Sequence, residues 1–456
     1  MAIKTFQKHL LYSVLSLTIL LRFIHKYEWP IWGSDSGEYL YLTRHLLENG
    51  MMLNENYIGW GRAYPDFQGM QILTGTMALV SDMDYYTSLT WFIPLVSGLA
   101  IPMLFILGKE LVGFTPALFG SAFYGVTFGV VYANSHPMPG GLAETLGFVL
   151  LLNWIKLLKD EKMWIINPLK RNPWANMMKF SFFALLLTHH FTLLLLMAAI
   201  LGILIIEIAA GNKKIGKEGI MVVALMSLPI SIYWLIYAKS FRIMLDDSAF
   251  DFLPENIPTT LVLTLIPFVS LLILWLIKDK INLPLWTENI SHDNYLKRSI
   301  ASFIGVFIVI ILVLWKGVPG TDIPVDFEAT PYLGVNLAIM SLACVPSFVI
   351  SKKNGWILWG WLLPMLGLAT IGAITGSHLL IAYRHAPYLL APIALMIGIS
   401  FQYFIIGFQT EKRKYVATIF SILLLGCAWG AYPPPSVMGG FQEGTSQEEI
   451  DAVLWF

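Results

Sequence analysis

Apolar stretches of bilayer length follow one another along most of this sequence. A helix needs about 20 mostly apolar residues to cross the hydrocarbon core of a membrane. Thirteen stretches approach that length: 9–25, 87–108, 112–132, 142–158, 175–188, 191–209, 219–238, 259–277, 299–315, 332–351, 356–376, 387–408 and 415–431. Only 13% of the 456 residues are charged, about half the share of a soluble domain. The sequence therefore predicts an all-α, multi-pass integral membrane protein with about 13 transmembrane helices. Its formal net charge of zero indicates no nucleic-acid partner.

The basic residues orient these spans, because loops on the inner side of a membrane are rich in Lys and Arg. Thirteen spans counted from an inner N-terminus place every basic cluster inside: 156–171, 213–217, 278–298, 352–353 and 412–414. The short stretches 175–188 and 191–209 have an alternative, which is one long, tilted or broken helix. Merging them would move the last three clusters outside. The sequence therefore predicts two spans there, with the N-terminus inside and the C-terminus outside.

Two polar segments accompany the membrane unit, which we place at residues 1–432. The external loop 26–86 is the longest, and its apolar run 67–80 is too short to span and predicts an interfacial helix. No small-residue cleavage site follows the first apolar run, so we interpret it as a retained span and not a signal peptide. The external tail 433–456 contains Thr445-Ser446-Gln447-Glu448-Glu449, which is typical of a helix N-terminus. Two interpretations of the tail stay open: a short helix on the membrane, or the start of an external domain.

A small, acidic stretch follows the first span: Trp32-Gly33-Ser34-Asp35-Ser36-Gly37-Glu38. It opens a helix-like run that stops at Gly50. Asp35 and Glu38 have the spacing of a capping box, in which each side chain bonds the other residue's backbone amide. The alternative is chemical, because a carboxylate on a short loop at the membrane surface can act as a general base or hold a metal ion. Asp35 and Glu38 are thus candidate catalytic residues, and Asp35 is also a candidate metal ligand.

A further acidic side chain, Glu144, lies about one turn inside the fourth span, after the loop 135–141. Charge inside a span is costly and marks functional sites, although a helix dipole also favours a carboxylate near a helix N-terminus. Asp35 and Glu144 flank the first and second external loops. The sequence therefore predicts that they converge on one divalent cation, Mg²⁺ or Mn²⁺, with His136 as a third candidate ligand.

Other polar side chains gather at the predicted outer ends of the spans. Arg384 and His385 form a basic pair there, and the planar guanidinium of arginine matches phosphate geometry. The alternative for this pair is snorkelling to lipid headgroups. The candidate substrate-binding residues are Trp60, Arg62, Tyr64, His189, His190 and Glu328. Trp and Tyr also anchor proteins at membrane interfaces, and the two histidines could instead cap a turn. The sequence contains no phosphate-binding loop or dinucleotide fingerprint in a supporting context, so no nucleotide cofactor is expected.

These features resemble the type C membrane glycosyltransferases, which have the GT-C fold. That family has an essential aspartate just after its first span, and Asp35 resembles it, with the run 39–50 behind it. Tyr64-Pro65 and the segment up to Gly75 resemble the continuation of the same loop. Thirteen spans with the C-terminus outside is the layout of the catalytic subunit of oligosaccharyltransferases, whose second external loop carries acidic metal ligands. Glu144 is the matching position for those ligands.

The resemblance implies an enzyme that transfers a sugar from a polyprenyl- or dolichyl-phosphate-linked donor to an acceptor on the external face, with inversion of the anomeric carbon. The acceptor is a glycan, a lipid or a protein. An oligosaccharyltransferase-like subunit for protein N-glycosylation is an alternative within the family. The predicted location is the plasma membrane of a prokaryote in preference to the endoplasmic reticulum. Two other classes stay open: a lipid or solute transporter, and a non-catalytic membrane scaffold in which Asp35 only caps a helix.

Overall fold

The computed structural model describes most of the chain. The described residues are 2–27, 29–33, 35–50, 61, 63–159, 172–211, 213–248, 257–281, single positions between 294 and 311, 330–341, 353–375, 380, 385–407, 410–433, 444–446 and 448.

Helices make up nearly all of the described structure. In chain order they are α1 (Ala2–Leu20), α2 (Ser36–Asn49), α3 (Gly69–Ser81), α4 (Tyr85–Val112), α5 (Phe114–Val126), α6 (Phe128–Ser135), α7 (Pro139–Lys159), α8 (Pro173–Thr188), α9 (His190–Ala209), α10 (Lys213–Ile232), α11 (Lys239–Ser248), α12 (Thr259–Ile277), α13 (Thr330–Met340), α14 (Lys353–Thr375), α15 (Ala386–Gly407) and α16 (Thr410–Gly430). A 3-10 helix, Leu21–Tyr27, continues α1, and π-helical turns lie within α4 at Ser88–Phe92 and after α10 at Tyr233–Tyr237.

Seven helices of the described chain are long and apolar enough to cross a membrane: α4, α7, α9, α10, α12, α14 and α15. The pair α5 and α6, bent by 66°, brings the number to eight if it forms one span. Helices lie over the described parts of the predicted apolar stretches, but 299–315 falls largely outside the described residues, as does the second half of 332–351. The structure is thus that of a predominantly helical integral membrane protein. The count of thirteen spans and the side of each terminus stay predictions.

The short stretches around His189 form a hairpin and not one helix. His189 is extended (φ −158°, ψ 113°) between α8 and α9. Lys156, near the end of α7, lies over the ring of Trp174 at the start of α8, whereas Leu196 of α9 packs on Gly147 of α7. Lys156 and Gly147 are nine residues apart on α7, which corresponds to about 13 Å. If α8 and α9 were one continuous helix, their contact residues Trp174 and Leu196 would be about 33 Å apart. The chain therefore turns back at His189, as the basic clusters predicted.

Small residues allow α5 and α15 to pack with their backbones close together. A Cβ atom at Gly120 would lie 2.6 Å from the carbonyl oxygen of Ala394, and one at Gly398 would overlap the carbonyl of Pro116. Small residues at helix crossings are typical of membrane bundles, where close backbone approach replaces the hydrophobic driving force. This contact belongs to the core of the bundle.

Two helices of the first external loop form near the predicted positions. Gly50 ends α2 in the left-handed conformation (φ 67°, ψ 6°), and its N–H donates to the carbonyl of Leu46, a common way to end a helix. The predicted interfacial helix 67–80 corresponds to α3. Its location at a membrane interface stays a prediction.

The tail 433–456 pairs with the loop 26–86 through two short strands. Strand β1 (Ile31–Trp32) and strand β2 (Gly444–Thr445) form an antiparallel pair, in which Ile31 faces Thr445 and Trp32 faces Gly444. Thr445 is thus in a strand, so Ser446 remains the candidate N-cap of the predicted tail helix, most of which lies outside the described residues. The loop and the tail are on the same side of the bundle.

Candidate functional site

The carboxylate of Asp35 is held by phenols and does not cap its helix. Asp35 precedes α2 and is half-buried, and its side chain makes no capping hydrogen bond. Tyr64 donates to Asp35 Oδ2 at 3.2 Å, and the hydroxyl of Tyr39 lies 3.4 Å from the same oxygen. Tyr39 is 2.7 Å from the Tyr64 hydroxyl. A phenol has one proton, so the shorter contact receives it and the order of donation is Tyr39 to Tyr64 to Asp35.

The carboxylate of Glu38 contacts the loop that follows α2. Its two carboxylate oxygens accept from the backbone N–H of Gly61 at 2.9 and 3.0 Å. This contact ties α2 to the part of the loop that leads into the 3-10 turn Tyr64–Asp66. Trp60 and Arg62, on either side of Gly61, lie outside the described residues. Glu38 therefore helps to place Tyr64 beside Asp35.

Burial keeps both phenols protonated. It raises the pKa of Tyr39 and Tyr64 well above the usual value, and the nearby charge of Asp35 raises both further. The two hydroxyls consequently remain hydrogen-bond donors throughout the physiological pH range. Tyr64 was predicted as a substrate-binding residue, and in the structure it is a partner of the carboxylate.

The loop between α6 and α7 reaches the Asp35 segment through His136. Gly33 has a φ of 115°, and a Cβ atom there would lie 2.5 Å from Cδ2 of His136. The indole of Trp32 stacks between the rings of His25 and His136, with centroid distances of 4.1 and 5.2 Å. The two loops are therefore in contact. They meet at the stacked rings of Trp32 and His136, three residues before Asp35 and one residue after the end of α6.

Glu144 lies inside the bundle, in a buried polar network. Tyr124 donates to Glu144 Oε1, and the amide nitrogen of Asn134 is 3.5 Å from the same oxygen. The guanidinium of Arg22 is fully buried and interacts electrostatically with Glu144. Arg22 itself donates to the carbonyls of Thr18 and Gly125. The buried carboxyl group of Glu144 thus has its polar partners within the protein.

The predicted metal ligands Asp35, Glu144 and His136 are not gathered into a ligand set. Within the described ranges, no group of three or more His, Cys, Asp or Glu side chains is arranged to hold a metal ion. The hydrogen bonds of Asp35 go to phenols and those of Glu144 to the bundle interior. The residues in this arrangement do not fit a divalent cation.

The two histidines of the hairpin have different surroundings. His189 caps α9, because its Nδ1 accepts from the N–H of Thr192 at 3.2 Å, which agrees with the turn-capping interpretation. His190 is buried, with its ring 4.7 Å from Phe67 and 4.2 Å from Phe241. Neither ring faces Asp35 in a described contact, so a substrate role for them stays a prediction.

The predicted phosphate site is only partly described. His385 is fully buried, packs against Phe191 and has its Nε2 3.2 Å from the carbonyl of Leu380. It is therefore an interior residue. Arg384 and Glu328 lie outside the described residues, and their predicted roles stay predictions.

Sequence reasoning missed Tyr39 as a partner of Asp35, although a signal existed. Residues four apart on a helix share a face, and Tyr39 follows Asp35 by four. The contact between Asp35 and Tyr64 had no comparable local signal.

Comparisons with known proteins bear on the fold. No family model matches the sequence, and no curated protein matches it. Solved structures of the oligosaccharyltransferase from Archaeoglobus fulgidus are similar in three dimensions. The apo enzyme has a TM-score of 0.59 and 13% identity, and the match covers 99% of this chain and 58% of that enzyme.

Two further structures of this enzyme contain ligands. AglB in complex with an inhibitory peptide and a dolichol-phosphate matches with a TM-score of 0.56 and 12% identity, covering 99% of this chain and 58% of that one. A complex with zinc and sulfate matches with a TM-score of 0.55 and 12% identity, covering 97% and 55%. This chain thus spans less than two thirds of the length of those enzymes. Its fold is that of an archaeal oligosaccharyltransferase, a GT-C fold.

Proposed function

We propose that the protein is a membrane glycosyltransferase that takes a sugar from a polyprenyl- or dolichyl-phosphate-linked donor. The observation that carries the proposal is the Asp35 carboxylate, half-buried at one end of a GT-C-like bundle and fixed through one oxygen by Tyr64. The catalytic unit is residues 1–432, and the active site faces the outside of a prokaryotic plasma membrane. The dolichol-phosphate in the AglB complex supports a lipid-linked donor.

Asp35 acts as a general base in this proposal. The phenols occupy Oδ2, so we assign the acceptor proton to Oδ1. As the acceptor hydroxyl loses its proton, its oxygen forms a bond to the anomeric carbon from the side opposite the phosphate. The bond between that carbon and the phosphate oxygen breaks, and its electron pair leaves with the phosphate. Inversion follows from this geometry, and a positioned base contributes about 10²–10⁴-fold.

Arg384 is assigned to the negative charge that develops on the leaving phosphate, because a guanidinium binds phosphate oxygens in pairs. The mechanism has no metal-dependent step, since the described residues do not form a ligand set. Zinc in one AglB structure is the reason to include chelation in the test. No nucleotide takes part.

The acceptor class separates two forms of this proposal. A hydroxyl of a glycan or lipid suits a base directly. The inhibitory peptide in the AglB complex favours a second candidate, transfer to a protein acceptor. The two are distinguished by whether label enters peptide or lipid.

The test is transfer of radiolabelled sugar from polyprenyl-phosphate donors by the purified protein, with and without EDTA. Asp35→Asn is expected to reduce transfer by at least about 100-fold, because the amide keeps the size of the side chain and an acceptor oxygen for Tyr64 but cannot take a proton. The matched control is Asp84→Asn in the same external loop. Asp84 caps a helix through the N–H of Thr87, and Asn caps equally well, so transfer should not change.

Wild-type transfer by the Asp35→Asn protein would refute the role of the base. Transfer that EDTA abolishes would move Asp35 to the role of metal ligand. Absence of transfer from every lipid-linked donor would favour the transporter or the scaffold.

A further inference from the structure

The tail strand β2 is fitted closely to the segment that precedes Asp35. Gly444 lies against the indole of Trp29, and a Cβ atom on Gly444 would overlap the ring atoms Cγ and Cδ2. The paired residue Trp32 is buried between His25 and His136. A pair of two-residue strands is marginal by itself, so this packing accounts for the stability of the pair.

The residue that immediately precedes the tail contacts the same segment at a second point. Tyr432 follows the end of α16, and its hydroxyl donates to the carbonyl of Leu21. Its ring lies 4.7 Å from that of His25. Two separate positions after α16, Tyr432 just before the tail and Gly444 within it, therefore contact the chain between residues 21 and 32.

The paired segment is in turn bonded to the first turn of α2. Ser36 Oγ donates to the carbonyl of Trp32 at 3.1 Å, and the Ser36 N–H donates to the carbonyl of Gly33 at 3.1 Å. Asp35 lies between these bonded residues. A displacement of β1 therefore moves Asp35 as well.

We propose that β2 positions the base of the reaction, with Gly444 as a positioning residue. This inference rests on the proposed function, because it takes Asp35 as that base. The contact between Tyr64 and Asp35 is 3.2 Å long, and a separation near 3.6 Å is no longer a hydrogen bond. A misplacement of about 1 Å in an active site can reduce the rate by about 100-fold.

The first experiment compares Gly444→Ala with Gly37→Ala in the full chain. The added methyl group meets Trp29 at position 444, whereas at position 37 no described residue lies within 4 Å of it. We expect Gly444→Ala to lower kcat by about tenfold or more with little change in KM or melting temperature. Gly37→Ala should match the wild type. A disulfide between Ile31→Cys and Thr445→Cys, the facing pair, should restore kcat to the Gly444→Ala protein.

The second experiment reports on position 35 without any enzymatic activity. The Asp35→Cys substitution is made in a protein in which Cys344 and Cys427 are replaced by alanine. The rate at which a polar maleimide alkylates the thiol at position 35 is then measured. Adding Gly444→Ala should speed alkylation several-fold, because the segment around residue 35 is no longer held.

An unchanged alkylation rate overturns the proposal, whatever happens to kcat. An unchanged kcat in an active enzyme overturns it as well. If the wild type transfers no sugar but Gly444→Ala speeds alkylation, the tail positions the loop and the proposed glycosyltransferase function is the part that fails.

Discussion

Removing the Tyr64 hydroxyl should have a smaller effect alone than together with Tyr39. Tyr64→Phe removes the donor to Asp35 Oδ2 but keeps the ring packing against Tyr39, whose centroid is 4.8 Å away. A hydrogen bond to a charged group contributes about 1.5–3 kcal/mol, and the half-exposed carboxylate favours the lower end. Tyr39 then loses its acceptor and can donate to Oδ2, from which it is 3.4 Å away. The net loss should be about 1 kcal/mol, or roughly fivefold in rate.

The double variant Tyr39→Phe/Tyr64→Phe has no such replacement. It should lose about 2–3 kcal/mol of transition-state stabilisation, or roughly 30- to 150-fold in kcat. Tyr39→Phe alone leaves the bond from Tyr64 to Asp35 and should cost under about 0.5 kcal/mol. The double-mutant cycle of these variants therefore predicts a coupling energy of about 1 kcal/mol between the two hydroxyls. It is calculated from the rates of sugar transfer at saturating donor concentration. Additive effects, within about 0.3 kcal/mol, would refute the donation order that the distances indicate.

Two further predictions concern buried charge and pH. Glu144→Gln should lower the free energy of unfolding by about 2 kcal/mol, less than for a directly bonded buried pair, because Arg22 loses its counter-charge. The half-exposed Glu110, 2.6 Å from a lysine, is the matched control, and its change to Gln should cost at most about 1 kcal/mol; equal melting temperatures of the two variants would contradict this. The raised pKa values of Tyr39 and Tyr64 stabilise the fold below about pH 10, and this stabilisation is lost as pH rises through the folded-state pKa. Between pH 10 and 11, the melting temperature of the wild type should therefore fall more steeply than that of the Tyr39→Phe/Tyr64→Phe double variant. An equal fall in the two proteins would contradict this prediction.

The sequence predicted those helix ends that depend only on neighbouring residues. The end of α2 follows from Gly50, since a left-handed residue stops a helix and glycine adopts that conformation without strain. The hairpin at His189 followed from basic clusters far from it, because one span more or less reverses the side of every later loop.

Contacts between distant segments could not be predicted in this way. Tyr64 reaches Asp35 across 29 residues of chain, and β1 meets β2 from the opposite end of the sequence. Neither pairing leaves a periodic pattern. Glu144 shows the same limit, because the cost of a charge within a span says that a partner exists but not whether it is a metal or an interior group such as Tyr124.

The strand pair can form only near the end of synthesis, because its two strands lie far apart in the sequence. Ile31 and Trp32 are synthesised soon after the first helix, whereas Gly444 and Thr445 follow the last described helix. At synthesis rates of about 5–20 residues per second, the first loop waits roughly 20 to 80 s for its partner strand. During that time Trp29 and Trp32 lack the backbone that covers them in the finished fold. The site around Asp35 is therefore among the last parts of the molecule to be assembled, although its residues are among the first to be made.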